Sequence, residues 1–228
     1  MAQEEAIVTR GHAREGYAQE KAGAQAPAAC VLVFARYPTP GQAKTRLIPA
    51  LGSAGAAQFY RQLAEGMISQ LRILRQGYSV DVVLWYSGAT AATMADWLGE
   101  DWIYCPQPEG DLGHRLRMAT DWAFGQGYDS VLVMGTDCPD LDASILRQGL
   151  RYLAQGADLV LGPANDGGYY LLGLTSPQPT LFEDITWSTA AVLAQTVAQA
   201  ERLRLTPTYL PTLIDIDTPE DLAQWRQG

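Results

Sequence analysis

Short continuous apolar runs alternate along the chain with longer stretches whose apolar residues recur at helical spacing. The runs are rich in β-branched and aromatic residues and are bounded by Gly, Pro or Asp, which predicts buried strands. The predicted strands are 30–35, 80–86, 102–105, 130–134, 158–162, 169–173 and 206–210. The helical spacing predicts helices over 54–74, 91–98, 115–124, 143–154 and 190–203, with a last helix beginning at Pro219.

This alternation of strand and helix predicts an α/β fold in which helices cover both faces of a mostly parallel sheet, a three-layer αβα sandwich. Residues 29–228 are predicted to form this single domain. Residues 1–28 are polar and mixed in charge, and we expect them to be a flexible tail. Ligands bind open α/β sheets at the carboxyl ends of the strands. The residues that directly follow each strand are therefore the first candidates for a functional site.

The composition is that of a globular protein, with 47% apolar and 18% charged residues in 228. A net charge of −9 argues against a protein that coats nucleic acid, because such binding needs a basic excess. Three widely spaced cysteines (Cys30, Cys105 and Cys138) argue against a disulfide framework and fit a cytoplasmic location. No apolar run reaches the ~18 residues of a membrane span, and residues 1–28 lack the apolar segment of a secretory signal.

The loop after the first predicted strand combines a glycine with several cations. Gly41 allows backbone amides to approach an anion, and Arg36, Lys44 and Arg46 supply positive charge that suits phosphate oxygens. The loop lacks the spacing of a Walker A motif. An ordinary surface loop with solvated charges is the alternative interpretation.

Acidic residues stand at two further positions where a hard cation could bind. Asp137 follows the predicted strand 130–134, and Asp215 and Asp217 project on the same side if their segment is extended. Carboxylates of this kind suit Mg²⁺ or Mn²⁺, so together they predict a site of two or three carboxylates. Each could instead serve a turn or a helix cap, and capping is the favoured interpretation for Asp140 and Asp142.

Three other segments could contact a ligand. Asp166, Gly167 and Gly168 lie between two predicted strands, where paired glycines permit close approach and Asp166 could orient an acceptor or act as a base; a plain Asp-Gly hairpin turn is the alternative. Residues 107–115 precede a helix N-terminus, which attracts anions and base edges. Trp187 is either a lid residue that contacts substrate or part of the core.

Six motifs together resemble the nucleotide-diphospho-sugar transferase superfamily, the GT-A fold, and within it the DUF2064 branch of arsenosugar-biosynthesis-type glycosyltransferases. They are FARYPTPGQAKTRL, GDLGHRL, GTDCPDL, GPANDGGYYLLGL, ITWST and DIDTPEDL, and they span about residues 30–225. The DTPEDL ending also resembles sugar-activating cytidylyltransferases and molybdenum-cofactor guanylyltransferases. The AKTRL loop resembles 2-phospholactate guanylyltransferases.

The resemblance implies a role for each matching residue. Lys44 and Arg46 would contact the phosphates of the nucleotide, and Asp137 and Asp217 would be metal ligands. Gly110 and Asp111 would line the nucleotide pocket, whereas Asp166, Gly167 and Gly168 would face the acceptor.

Two departures leave the chemistry open between two kinds of transfer. The central strand ends in Thr136-Asp137-Cys138 without the D-x-D of typical GT-A glycosyltransferases, and the first loop lacks the glycine-rich form of nucleotidyltransferases. The substrates would be a nucleotide-sugar or a nucleoside triphosphate and a small acceptor. Glycosyl transfer is favoured, nucleotidyl transfer with release of pyrophosphate is the alternative, and a non-catalytic nucleotide-binding protein is a third possibility.

Overall fold

The computed structural model describes residues 28–227 of the chain. Its seven strands are β1 (Ala29–Arg36), β2 (Val80–Ser87), β3 (Ile103–Pro106), β4 (Ser130–Met134), β5 (Leu159–Pro163), β6 (Tyr169–Leu174) and β7 (Pro207–Tyr209). Its α-helices are α1 (Ile48–Gly77), α2 (Ala91–Leu98), α3 (Leu112–Gly125), α4 (Ala143–Ala154), α5 (Val192–Arg202) and α6 (Pro219–Trp225). Short 3₁₀ helices span Thr45–Leu47 and Pro179–Phe182. The predicted tail, residues 1–28, lies outside the described residues except for Ala28.

All seven strands form one sheet in the order β3-β2-β1-β4-β6-β5-β7. Every neighbouring pair is parallel except those of β6, which runs antiparallel to both β4 and β5. The predicted mostly parallel α/β sheet is therefore confirmed. The antiparallel β6 arises because only the short turn Ala164–Gly168 separates it from β5, too few residues for a parallel crossover.

The continuous apolar runs are explained by burial on both faces of the sheet. In β1, Val31 and Val33 belong to the core on one face, while Cys30 and Leu32 belong to the core on the other. All four side chains are fully buried. Within residues 28–227, no helix is both long and apolar enough to cross a membrane.

Helix starts differ from the prediction at one place and agree at two. Helix α1 begins at Ile48 rather than near residue 54, because Gly52 takes a φ of 70° and joins a first turn to the main helix across a kink. Asp142 caps α4 as predicted, accepting from the amides of Ser144 and Ile145. Thr218, and not its neighbour Asp217, caps α6 in a capping box with Asp221.

Candidate functional site

The candidate site lies at the carboxyl ends of β1 and β4, two adjacent strands at the centre of the sheet. Asp137 follows the end of β4, and the loop after β1 carries Lys44 and Arg46. Asp215 and Asp217 come from the segment between β7 and α6. Charged residues more than 170 positions apart in the sequence are thus brought to one edge, as parallel topology predicts.

Backbone hydrogen bonds hold the C-terminal acidic segment against β4. The amide of Ile216 donates to the carbonyl of Asp137 at 3.1 Å, and the amide of Asp215 donates to Asn165 Oδ1 at 3.2 Å. Ile216 is fully buried with Leu47 and Leu222. Because side chains alternate along an extended segment, burying Ile216 directs Asp215 and Asp217 to the opposite side, towards the site.

Lys44 lies at the centre of the acidic residues. Its side chain is only 4% exposed, and its Nζ lies 3.0 Å from Asp137 Oδ1 and 3.5 Å from Asp217 Oδ1. Arg46 pairs with the other oxygen of Asp217. Burial opposes the charged form of Lys44, but Asp137, Asp215 and Asp217 together outweigh it and raise its pKa. Lys44 therefore stays protonated and bridges Asp137 and Asp217.

The backbone of Lys44 takes a left-handed conformation, with φ 47° and ψ 49°. This conformation costs a non-glycine residue roughly 1–2 kcal/mol. Such outliers persist where the surroundings hold them, often at functional sites. Here the ion pairs with Asp137 and Asp217 hold the side chain in place.

Asp215 is the carboxylate with the least compensation. Its Oδ1 is buried and has no hydrogen-bond donor among residues 28–227. Burial, followed by the negative charge of Asp137, raises the pKa of Asp215 to about 7, and Lys44 offsets only part of this increase. The metal-free site thus has unused capacity to bind positive charge.

Asp215→Asn is expected to stabilise the metal-free protein at high pH. The folded state holds the Asp215 proton up to about pH 7, whereas the ordinary pKa is 3.8. The folded state therefore binds more protons between these values, and stability falls as the pH rises through that window. Removing the carboxylate should raise the melting temperature at pH 8 in the presence of a chelator. The gain should shrink as the pH falls towards 4, and a gain independent of pH would contradict this assignment.

Two clefts meet at Asp137 and Asp217, which line both. The first cleft, of about 250 Å³, extends over the ends of β1, β2 and β3; its polar lining includes Arg36, Lys44, Tyr60, Ser87, Gln107, Arg115 and Thr136. The second cleft, of about 460 Å³, lies on the other side; its lining includes Arg46, Leu112, Asp166, Gly168, Tyr169, Trp187 and Asp215. A ligand in one cleft would therefore meet a ligand in the other at the two aspartates.

The wall of the second cleft is built by the β5–β6 turn docking on the segment before α5. Asp166 accepts from the amide of Gly168 at 2.8 Å, so the predicted Asp-Gly hairpin turn and a cleft-lining Asp166 are both present. Gly167 has a φ of 87° and packs against Ala190, and its carbonyl accepts from the amide of Leu193. The turn and the segment that carries Trp187 are therefore held together by backbone contacts.

Gly167→Ala is expected to destabilise the protein more than Gly156→Ala. Both glycines have positive φ, but a Cβ on Gly156 would meet open space, whereas one on Gly167 would lie 2.3 Å from the carbonyl oxygen of Ala190. The backbone term is about 1–2 kcal/mol at both positions, and the clash should add about 1–3 kcal/mol at Gly167. Denaturant unfolding measures the difference. Equal losses would show that the turn is not docked on Ala190.

Most of the predicted site residues lie at the two clefts. Those lining a cleft are Arg36, Lys44, Arg46, Asp137, Asp166, Gly168, Trp187, Asp215 and Asp217. Gly41 takes a φ of 79° in the first loop, consistent with a turn that needs glycine. Trp187 is half-buried and lies over Gly113, where no Cβ would fit.

Gly110 and Asp111 line neither of the two clefts. The carboxylate of Asp111 caps α3 by accepting from the amide of His114 at 2.8 Å, and it lines a separate cleft beside Trp187. Their place in the nucleotide pocket remains a prediction.

A metal site of three carboxylates is not formed. Among residues 28–227, no three Asp, Glu, His or Cys side chains are arranged so that they could hold a metal ion. The prediction was wrong to this extent because Lys44 lies between Asp137 and Asp217. A site of one or two carboxylates completed by phosphate oxygens is the arrangement that Mg²⁺ prefers, and it remains a prediction.

Three residues of the first cleft were not predicted. Tyr60 of α1 accepts from the amide of Arg36 at 2.8 Å and from Thr136 Oγ1 at 3.2 Å. Gln107 directly follows β3, and Arg115 lies in the first turn of α3. Position after a strand could have identified Gln107. No sequence signal distinguishes Tyr60 from the other aromatic residues on helices.

Comparison with known proteins identifies the family. The profile of the family described as "Uncharacterized protein conserved in bacteria (DUF2064)" matches residues 70–189. A solved structure from Desulfovibrio desulfuricans G20, provisionally named a nucleotide-diphospho-sugar transferase, is 36% identical with a TM-score of 0.81. The alignment covers 88% of this chain and 87% of that one. Curated protein sequences give no significant match.

More distant structures share the fold. Rv0371c of Mycobacterium tuberculosis H37Rv, in complex with manganese, is 15% identical with a TM-score of 0.53, over 88% of this chain and 98% of that one. CMP:2-keto-3-deoxy-manno-octonic acid synthetase, complexed with CTP, is 10% identical with a TM-score of 0.54, over 87% and 97%. The chain thus belongs to the DUF2064 family and has the fold of the nucleotide-diphospho-sugar transferases.

Proposed function

We propose that this chain is a metal-dependent glycosyltransferase that moves a sugar from a nucleotide-sugar to a small acceptor. The observation that carries this proposal is the junction of two clefts at Asp137 and Asp217. Transfer between two substrates requires that their reacting atoms meet at one place, where positioning and fixed charges lower the barrier. The acidic junction is that place.

The donor binds in the first cleft. Arg36, Lys44 and Arg115 line it, so its cations suit a diphosphate. Arg36 is held by donating from Nη1 to the carbonyl of Gln42 at 3.0 Å. Lys44 and Arg46 stabilise the negative charge that grows on the leaving phosphate.

The residues at the junction fit a divalent cation. Asp137, Asp166, Asp215 and Asp217 carry four negative charges against the two positive charges of Lys44 and Arg46, so a divalent ion would balance the cluster. The buried Oδ1 of Asp215, which lacks a donor, is a hard oxygen ligand of the kind that Mg²⁺ and Mn²⁺ select. Asp137 and Asp217 would hold the ion, which would neutralise charge on the diphosphate. The manganese complex of Rv0371c is consistent with this assignment.

The second cleft favours a neutral or cationic acceptor. Four carboxylates line it against one cation, Arg46, so an anionic acceptor would be repelled. Acceptors of glycosyl transfer present neutral hydroxyl or amine groups, whereas acceptors of nucleotidyl transfer present a phosphate. Asp166 lines this cleft on the docked turn and is placed to accept the proton of an attacking hydroxyl. The Trp187 ring offers an apolar face to the acceptor.

Nucleotidyl transfer is the second candidate because of Arg46. Its side chain is 61% exposed and lines the second cleft, where it could hold an acceptor phosphate. The fold also occurs in a synthetase complexed with CTP. In this case the acceptor phosphate would attack the α-phosphorus, and pyrophosphate would leave.

One assay separates the two reactions. The protein is incubated with Mg²⁺ or Mn²⁺, a panel of nucleoside triphosphates and UDP-, GDP- and dTDP-sugars, and candidate acceptors. Release of nucleoside diphosphate supports glycosyl transfer, and formation of pyrophosphate supports nucleotidyl transfer. A protein that binds no nucleotide by calorimetry with metal present would contradict both, and binding without turnover would favour a non-catalytic nucleotide-binding protein.

A further inference from the structure

We propose that Arg115 selects the base of the donor nucleotide, and that it favours bases with an oxo group over bases with an amino group at the equivalent position. Guanine, uracil and thymine belong to the first class, and adenine and cytosine to the second. This inference rests on the proposed function, because it assumes that the first cleft binds a nucleotide.

The strand order places Arg115 and Gln107 at the base end of the first cleft. The phosphates belong at the junction, next to Asp137 at the end of β4. The sheet continues from β4 through β1 and β2 to β3, after which Gln107 follows. Neighbouring strands lie about 4.8 Å apart, so three steps span roughly 14 Å. A nucleotide extended along the strand ends therefore directs its base towards Ser87, Gln107 and Arg115.

Arg115 is held in one orientation by Gln107. The guanidinium donates from Nη1 to Gln107 Oε1 at 3.2 Å. The amide nitrogen of Gln107 donates to the carbonyls of Trp85 at 2.9 Å and Ala35 at 3.3 Å, at the ends of β2 and β1. These two carbonyls accept only donors, so they fix the Gln107 amide with its oxygen towards Arg115. Gln107 is thus a positioning residue, and the sheet orients Arg115 through it.

The chemistry of the guanidinium determines which bases it can bind. Arginine has five N–H donors and no acceptor. Its Nε is buried and has no acceptor among the described residues, so Arg115 retains unused donor capacity. Such a group binds O6 of guanine or O4 of uracil and thymine, but it opposes donor to donor at the amino group of adenine or cytosine. Oxo bases therefore gain a hydrogen bond where amino bases meet repulsion.

Calorimetry with Mg²⁺ and five nucleotides tests this proposal. For the wild-type protein, GDP, UDP or dTDP should bind about 5- to 150-fold more tightly than ADP and CDP. In Arg115→Gln this ratio should fall close to one, because an amide can donate or accept. Arg115→Lys keeps the charge without the planar fork and should retain only part of the selectivity.

Arg117→Gln is the matched control. Arg117 lies two residues further along α3, lines the separate cleft beside Trp187 and should leave the selectivity unchanged. Gln107→Met should lower the selectivity while phosphate binding, measured with inorganic pyrophosphate, stays the same. Melting temperatures show whether each variant folds.

The outcomes distinguish this inference from the proposed function. Equal weakening of all five nucleotides in Arg115→Gln would mean that Arg115 contacts phosphate, and it would overturn the inference alone. A wild-type preference for ADP or CDP, or no preference, would do the same. If the wild-type protein binds none of the five nucleotides, the proposed function fails as well.

Discussion

Asp137→Asn is expected to lower the rate of transfer by about 10²- to 10³-fold, by analogy with the loss of one group that stabilises transition-state charge. Asp137 lines both clefts and is joined to the C-terminal acidic segment through its own carbonyl. Asparagine keeps the shape of the side chain but removes the charge that would bind a divalent ion. Nucleotide binding should therefore also lose its dependence on Mg²⁺.

The matched control for this variant is Asp140→Asn. Asp140 lies three residues further on, is exposed and contacts only Trp225 Nε1, at 3.4 Å, among the contacts described for it. Rates and calorimetric affinities with and without Mg²⁺ are compared for the two variants. If Asp137→Asn binds nucleotide with wild-type affinity in the presence of metal, Asp137 is not part of the metal site.

Lys44→Met is expected to destabilise the protein in the absence of metal, by about 3 kcal/mol. Lys44 is almost fully buried, and removing it leaves the carboxylates of Asp137, Asp215 and Asp217 without their shared counter-charge. The loss belongs at the lower end of the range for buried pairs, because Asp137 and Asp217 are 37% and 38% exposed and water screens them. Methionine has similar length and fits the buried path of the side chain.

Magnesium should restore much of the stability of Lys44→Met. A cation that binds the folded state stabilises it by mass action, and in this variant it would meet no competing ammonium. Thermal unfolding is measured with a chelator and with Mg²⁺, and Arg151→Met, at an exposed position in the last turn of α4, is the control. A Lys44→Met protein whose melting temperature ignores Mg²⁺ would contradict a cation site between the two aspartates.

The sequence predicts this site well wherever a residue directly follows a strand. Asp137 and the cations of the first loop were identifiable because parallel strands end at one edge of the sheet. The pairing of Asp215 and Asp217 could be predicted as well, since the alternation around Ile216 directs both to one side. These predictions need only the local pattern and the general topology.

Other features depend on tertiary packing that no local pattern contains. The hydrogen bonds of Tyr60 to Arg36 and Thr136 require the relative position of α1 and two strands. The bridging position of Lys44 likewise depends on a contact with Asp217, 173 residues away. For this reason the sequence predicted a metal site of up to three carboxylates, whereas the structure places an ammonium group between two of them.

The segment that supplies Asp215 and Asp217 is attached to the sheet by few interactions. Apart from the bridge between Leu213 and Ala164, backbone hydrogen bonds at Leu213 and Ile216 and the small cluster around Ile216 secure it. Such a segment can open without unfolding the strands, so its amides should exchange with solvent faster than those of β1. Ligands that need both aspartates must first close this segment, and part of their binding energy is therefore converted into local order.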